Sequence, residues 1–304
     1  MFDTKLSQPI LGLDIGQKTM KIVQIQGSGR NTQIVGAAEI EIPINAITKD
    51  GVKDKEKIAE ILKQTVSNPK NNFTTKYISS ALPESLVFTE TILVNKVSNK
   101  ELAKNISLEA SKFCPIPAGE TYLDWQITND APNNMLEVLV VAAPKILVDS
   151  LVETIELAGL EPIGLETKPL AYCRALLSTK EKGPLIIVDI GAQGTNLTCF
   201  DTGVIKYTSI VTIGGDRITE YMTTGSQALI DEINHLMKYY ENKTGKLQIF
   251  KKIILTGGGA NIPELRGIIE NDTRIQTVTG TPQFKIKNFD PKFSVALGLA
   301  MKEI

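Results

Sequence analysis

Two stretches of this chain are near copies of each other. Residues 10–16 read Ile-Leu-Gly-Leu-Asp-Ile-Gly, and residues 185–191 read Leu-Ile-Ile-Val-Asp-Ile-Gly. Each is an apolar run that stops at Asp-x-Gly. Each continues with two more strand-like segments parted by turn residues: 21–26 and 33–42 around the turn 27–31, then 195–200 and 204–213 around Asp201-Thr202-Gly203. Apolar and β-branched runs cut by Gly, Asn and Asp are strand–turn–strand signals. The double occurrence predicts an α/β chain of two structurally repeated lobes.

The segments between and after the repeats fill out those lobes. Ile58, Ile61, Leu62 and Val66 recur at helical spacing and predict a helix over 53–66. Residues 77–167 read as a separate α+β insertion, with strands at 77–82, 88–94, 122–128, 135–143 and 162–166. Its helices are expected over 99–113, capped by Ser98, and over 145–158, ending at Gly159. A helix over 170–177 leads into Lys-Glu-Lys-Gly-Pro at 180–184, the best hinge candidate. The second lobe adds a helix over 227–240 with Leu229, Ile233, Leu236, Met237 and Tyr240 on one face. A strand over 252–256 then enters Gly257-Gly258-Gly259-Ala260, followed by a helix over 263–270, a strand over 276–279 and a helix over 294–302.

Composition excludes several classes. With 304 residues, 42% of them hydrophobic, the chain has material for two modest cores. Its 33 basic residues against 34 acidic ones imply no basic face for nucleic acid. Cys114, Cys173 and Cys199 are widely spaced and form no Cys-x-x-Cys pair, which fits buried thiols in a reducing compartment. The sole histidine, His235, has no second ligand beside it to make a metal site. Residues 1–5 do not lead into an apolar run as a signal peptide does. The most apolar stretch, 138–143, is halted by Pro144 and Lys145, far short of the roughly 20 residues of a spanning helix. The expectation is a soluble protein whose membrane role, if any, runs through a partner.

An Asp-Ile-Gly at a strand's end sets a carboxylate at its C-terminal edge, with a glycine that lets backbone approach a phosphate. Two such turns facing each other make a phosphate clamp, in which Asp14 and Asp189 would act through Mg²⁺ and its waters. Lys18 and Thr195, just past the turns, are candidate donors. Gly257, Gly258 and Gly259 form a strand-to-helix turn able to admit a nucleoside. Any one of these alone is an ordinary strand-end turn or helix entry; their order carries the signal.

That order resembles the actin, Hsp70 and sugar-kinase superfamily, in which the two Asp-x-Gly turns are the phosphate loops and the glycine triplet is the adenosine motif. The resemblance implies that Asp14, Gly16, Gln17 and Lys18 face one side of the phosphates. Asp189, Gly191, Gln193, Thr195, Gly214 and Gly215 face the other, and Gly257, Gly258 and Gly259 take the nucleoside. It implies ATP as ligand and Mg²⁺ held through water by Asp14 and Asp189. The segments Leu-Glu-Ala-Ser-Lys-Phe-Cys-Pro-Ile-Pro at 108–117 and Leu-Asp-Trp at 123–125 are similar to those of the type IV pilus PilM family, an FtsA-related branch. So are Val-Val-Ala-Ala-Pro-Lys at 140–145 and the stretch 255–265. The implied fold is two-lobed, actin-like (ribonuclease H-like) α/β, with a 1C-type α+β insertion and a reduced 2B subdomain. Residues 1–182 would be the first lobe, including the 77–167 insertion, and 183–304 the second.

The resemblance further implies a scaffold of the pilus inner-membrane platform that holds the N-terminal cytoplasmic peptide of a PilN-like membrane protein. Self-association and contacts with pilus motor and platform proteins come with it, but no nucleic acid and no direct membrane insertion. The implied location is the cytoplasm, peripheral to the inner membrane through the partner. Two departures bear on chemistry. The stretch after Gly214-Gly215 is short, which removes one wall of the nucleotide cleft and weakens the expectation of tight ATP binding. ATP-hydrolysing relatives place a carboxylate or Gln just before Pro-x-Ala, where this chain has Lys168, with Glu166 out of register. A lysine is a poor water-orienting base, so no catalytic residue is assigned and hydrolysis is expected to be slow or absent. The alternatives are an FtsA-like division filament, which would need a membrane-binding helix beyond residues 301–304, and a nucleotide-free relic scaffold.

Overall fold

The computed structural model describes residues 8–302 apart from Ser28, Gln248, Lys285 and Lys287; the expectations for residues 1–5, 303 and 304 lie outside them. In chain order, the first repeat gives strands β1 (Leu11–Ile15), β2 (Thr19–Gln26) and β3 (Gln33–Glu41). A small ribbon of β4 (Ile47–Thr48) and β5 (Gly51–Val52) follows, then helix α1 (Lys55–Ser67) and strand β6 (Tyr77–Leu82). Next come β7 (Phe88–Asn95), α2 (Asn99–Phe113), β8 (Thr121–Ala131) and β9 (Met135–Pro144). The chain returns through α3 (Lys145–Leu157), β10 (Glu161–Thr167) and α4 (Lys168–Leu176). The second repeat gives β11 (Leu185–Ile190), β12 (Thr195–Asp201) and β13 (Val204–Val211), then α5 (Gly215–Glu220) and α6 (Met222–Thr244). It ends with β14 (Lys252–Thr256), α7 (Leu265–Thr273), β15 (Gln276–Thr279) and α8 (Ser294–Ala300).

The two large sheets repeat one arrangement. Their orders are β10-β6-β1-β2-β3 and β13-β12-β11-β14-β15. In each, the first strand of the repeat is central, pairs antiparallel with the second, and pairs parallel with a later buried strand. A strand with neighbours on both sides and both faces covered reads as a continuous apolar run, and all residues of β1 and of β11 are buried. The ladders even share register: Asp14 lies opposite Lys21, and Asp189 lies opposite Asn196.

The insertion is smaller than the predicted 77–167. β6 and β10 are strands of the first large sheet, paired in parallel with each other, and α3 packs on α1 in that lobe's core. The independent module is the three-stranded sheet β7-β9-β8 with α2 across it, cored by Val94, Leu102, Ile106, Val138 and Val140. Sequence pattern misplaced the boundary because β6 and β10 differ from the module strands only in distant pairing. Ser98 does precede α2, but its hydroxyl donates to the Glu101 carboxylate (2.8 Å) and accepts no hydrogen bond from the helix backbone.

Where two cores were expected, the described residues form four apolar clusters: one in each lobe, one in the module and one between the lobes. The last is built from α4 and α8, so the chain's final helix packs on β1, β2 and α4 of the first lobe and does not belong to the second lobe alone. Close approach is possible because Gly298 faces α4: a Cβ there would meet the Ala171 carbonyl oxygen at 1.8 Å. Arg174 of α4 donates to the Gly298 carbonyl at 2.7 Å. The same guanidinium grips both oxygens of Glu166 at 2.5 and 2.8 Å. Glu166 is thus a structural partner that helps fix α4. Lys168, the first residue of α4, is thereby held over the end of β1.

Candidate functional site

The C-terminal ends of β1 and β11 meet across a cleft of about 990 Å³ between the lobes. Asp14, Gly16, Gln17, Lys18, Asp189, Gly191, Gln193, Gly215, Gly257, Gly258 and Gly259 line it together. The turns are superimposable in their bonding: the Gly16 amide donates to the Thr19 carbonyl and the Gly191 amide to the Gly194 carbonyl, both at 2.9 Å. Gly259 lies so close to the second turn that a Cβ would sit 2.1 Å from Ile190 Cγ2. Only glycine lets this loop close against the end of β11.

Two predicted residues fall elsewhere. Thr195 is fully buried, and its hydroxyl donates to the Ile213 carbonyl at 2.6 Å. Strand side chains alternate between faces; Thr195 lies opposite Ile190, while its neighbour Asn196 lies opposite Asp189 and shares the cleft face. Asn196 Nδ2 donates to Asp189 Oδ2 at 3.1 Å. Gly214 borders a shallower depression beside Arg217 and Tyr221.

The electrostatics of the two carboxylates differ. Asp14 Oδ1 is 2.7 Å from the Lys168 ammonium, both largely buried. Burial works against the Asp14 charge, but Lys168 and then Lys21 outweigh it and hold the carboxyl below its usual range. Burial likewise opposes the Lys168 charge, and Asp14, Asp189 and Glu84 together hold its pKa above the ordinary value. Asp189 goes the other way: burial and the like charge of Asp14 raise it, and Lys168 and Asn196 only partly offset them.

Glu84, Asp216 and Lys292 escaped the sequence reading. Glu84 follows β6 in a 3-10 turn, Glu84–Leu86, at the cleft wall. Its Oε2 is buried without a hydrogen-bond partner among the described residues. Burial pushes its carboxyl up to about 8, with Lys168 opposing and Asp189 adding to the rise. Lys18 reaches across the cleft mouth to Asp216 at 2.5 Å. Lys292 pairs with Glu39 at 2.7 Å at the rim.

Mg²⁺ is expected here through its water shell, with Asp14 and Asp189 binding that shell; Asp14 Oδ1 instead faces the Lys168 ammonium at 2.7 Å, so a hydrated cation at this place would meet a fixed positive charge. A metal on that oxygen would stand within about 5 Å of the lysine charge. Among the described residues, no group of three or more His, Cys, Asp or Glu side chains is arranged to hold a metal ion. The cleft lies open between the two turns, and among the described residues only α5 and α6 stand as helices between β13 and β14.

Comparison with known proteins gives this geometry a context. The family model described as type IV pilus assembly protein PilM matches residues 12–226. A solved structure described as a PilM-PilN type IV pilus biogenesis complex superposes with a TM-score of 0.82 at 22% identity, covering 97% of this chain and 98% of that one. A Bacteroides thetaiotaomicron protein with an actin-like ATPase fold superposes at 0.55 with 13% identity over the whole of both chains. Cell division protein FtsA of Bacillus subtilis is 20% identical over 280 residues, covering 81% of this chain and 62% of that protein. The chain spans about half to three-fifths of the length of three curated relatives that it matches. The two-lobed architecture is the actin-like fold.

Proposed function

The chain belongs to the type IV pilus assembly protein PilM family, and from that premise we propose that it is a nucleotide-binding scaffold that holds the cytoplasmic tail of a PilN-like membrane protein. The observation that carries the reading is the end-to-end likeness to a chain seen in a PilM-PilN complex. The module supplies a surface of the right kind. One edge strand of its sheet, β7, lies against the second lobe: the Thr91 hydroxyl donates to the Ile205 carbonyl at 3.3 Å, and from the central strand β9 Glu137 pairs with Lys206 at 2.7 Å. The other edge, β8, has no further strand beside it among the described residues, and it exposes Tyr122, Trp125 and Ile127. An open edge with apolar side chains is the surface that an extended peptide joins as an added strand.

Trp125 is the only tryptophan of the chain, which gives the proposal a direct readout. A synthetic peptide of the N-terminal tail of a PilN-like protein is expected to bind with a shift in Trp125 emission. Ile127→Glu is expected to abolish both binding and shift. Calorimetric silence with the unaltered protein would contradict the docking role.

In the cleft, the two glycine turns and the Gly257–259 loop favour ATP as the nucleotide. Lys168 stands where a water-orienting carboxylate would be needed, and burial pushes Glu84 up to about 8, toward its neutral form, so neither is a good base for an attacking water. Hydrolysis is therefore slow or absent, and a single-turnover assay showing ATP cleavage at a rate typical of enzymes would overturn this part. Attachment to the inner membrane runs through the partner's tail; no helix of the described residues is long and apolar enough to cross a membrane. The FtsA relatives favour a second reading, self-association into filaments. Sedimentation with and without ATP separates the two, since a filament pellets and a scaffold stays in solution.

A further inference from the structure

The cleft's inner end holds a charge arrangement that an ATP site of the expected kind would not need. Lys168 does not point to solvent: its side chain is 15% exposed and ion-paired at 2.7 Å to Asp14, itself 9% exposed. Its position is set from behind by the packing of α8 against α4 and by the Glu166–Arg174–Gly298 contacts. Lys168, Asp14 and Asp189 all line the cleft, with the glycine turns on either side. An ammonium has three donors and no acceptor. The ammonium stands 2.7 Å from Asp14 Oδ1 as an ion pair, while that oxygen receives no well-directed hydrogen bond, so ammonium N–H groups remain for oxygens arriving between the turns.

We propose that Lys168 is a built-in cation that takes the place of the divalent metal, so that nucleotide phosphates dock in this cleft without Mg²⁺. The proposal rests on the nucleotide-binding reading and adds to it the counter-ion. A buried carboxylate facing a phosphate must be neutralised by something; here Lys168 neutralises Asp14 and presents the remaining positive charge to the ligand. Lysine serves as a point-charge phosphate binder elsewhere by the same physics. Asp14 then acts as a positioning residue that anchors the ammonium, and the oxygen expected to reach a metal through water is already committed.

The test is calorimetric titration of the full chain with ATP, once in excess EDTA and once with Mg²⁺. The expected result is binding in EDTA within about threefold of that with Mg²⁺. Lys168→Gln is expected to weaken binding in EDTA by about tenfold or more, and Lys168→Arg, which keeps the charge, by far less. Thermal melting of each variant checks that it is folded, and the comparison in the unaltered protein needs no variant. ATP binding that requires Mg²⁺ would overturn the built-in cation and leave the nucleotide reading standing. So would a folded Lys168→Gln that binds unchanged in EDTA. No binding in either condition would overturn both.

Discussion

The two halves of the cleft are built on one plan, but their carboxylates are shifted in opposite directions. In the first lobe, the penultimate residue of β1 is Asp14, whose cross-strand partner is Lys21 and whose Oδ1 is paired with Lys168. In the second, the penultimate residue of β11 is Asp189, whose cross-strand partner is the neutral Asn196. The backbone turns match to a tenth of an ångström in their closing hydrogen bonds. The parallel neighbour differs too: β6 runs into Pro83 and the buried Glu84, while β14 runs into glycines. One carboxylate is therefore drawn below its usual range and the other pushed above it. The fold fixes where the two carboxylates sit, and single neighbours decide what each can do.

Substitutions that remove one neighbour at a time sharpen this contrast. Lys168→Met leaves Asp14 buried and uncompensated and is expected to cost about 3–5 kcal/mol, read from denaturant unfolding. Adding Asp14→Asn to it should recover most of that loss. If the double variant were no more stable than the single, the pair would not be coupled as the geometry says.

The next effect is one of pH. Glu84 has an ordinary value of 4.5 and stands at about 8 in the fold, with Lys168 and Asp189 as its charged neighbours. Between those values the folded state keeps a proton that the unfolded state releases. Stability therefore falls as pH rises from about 5 through 8, by an amount on the order of a few kcal/mol. Glu84→Gln removes that proton from the balance and should flatten the curve. A curve equally steep in the variant would place the titrating group elsewhere.

In the second lobe the expected losses are smaller. Asn196→Ala removes one hydrogen bond to Asp189 and should cost about 1–2 kcal/mol. Smallest is Lys18→Ala, which breaks a bridge whose side chains are 42% and 49% exposed; about 0–1 kcal/mol is expected, fading in salt.

Much of the fold was legible because its signals are local. The apolar runs ending in Asp-x-Gly and the turns that follow specify β1 to β3 and β11 to β13 within a few residues. The module boundary was not legible, since only parallel pairing with a distant strand distinguishes β6 and β10 from β7 and β9. At the site, the motif order points to glycines of which Gly16, Gly191, Gly215 and Gly257–Gly259 line the cleft and Gly214 does not, and it points to Thr195 where Asn196 faces the cleft. The parity of the hairpin would have found it: a residue opposite Asp189 must share its face. Lys168 was noticed as a departure from the pattern, yet its ion pair with Asp14 joins residues from opposite ends of the lobe. Glu84 carries no local mark beyond a charge after an apolar strand.

The most direct test of the account is hydrogen–deuterium exchange of the full chain with and without ATP. The two-turn cleft predicts that peptides spanning residues 14–19, 189–194 and 257–261 are protected together. Protection at neither turn, or in one lobe alone, would contradict a nucleotide held between the two repeats.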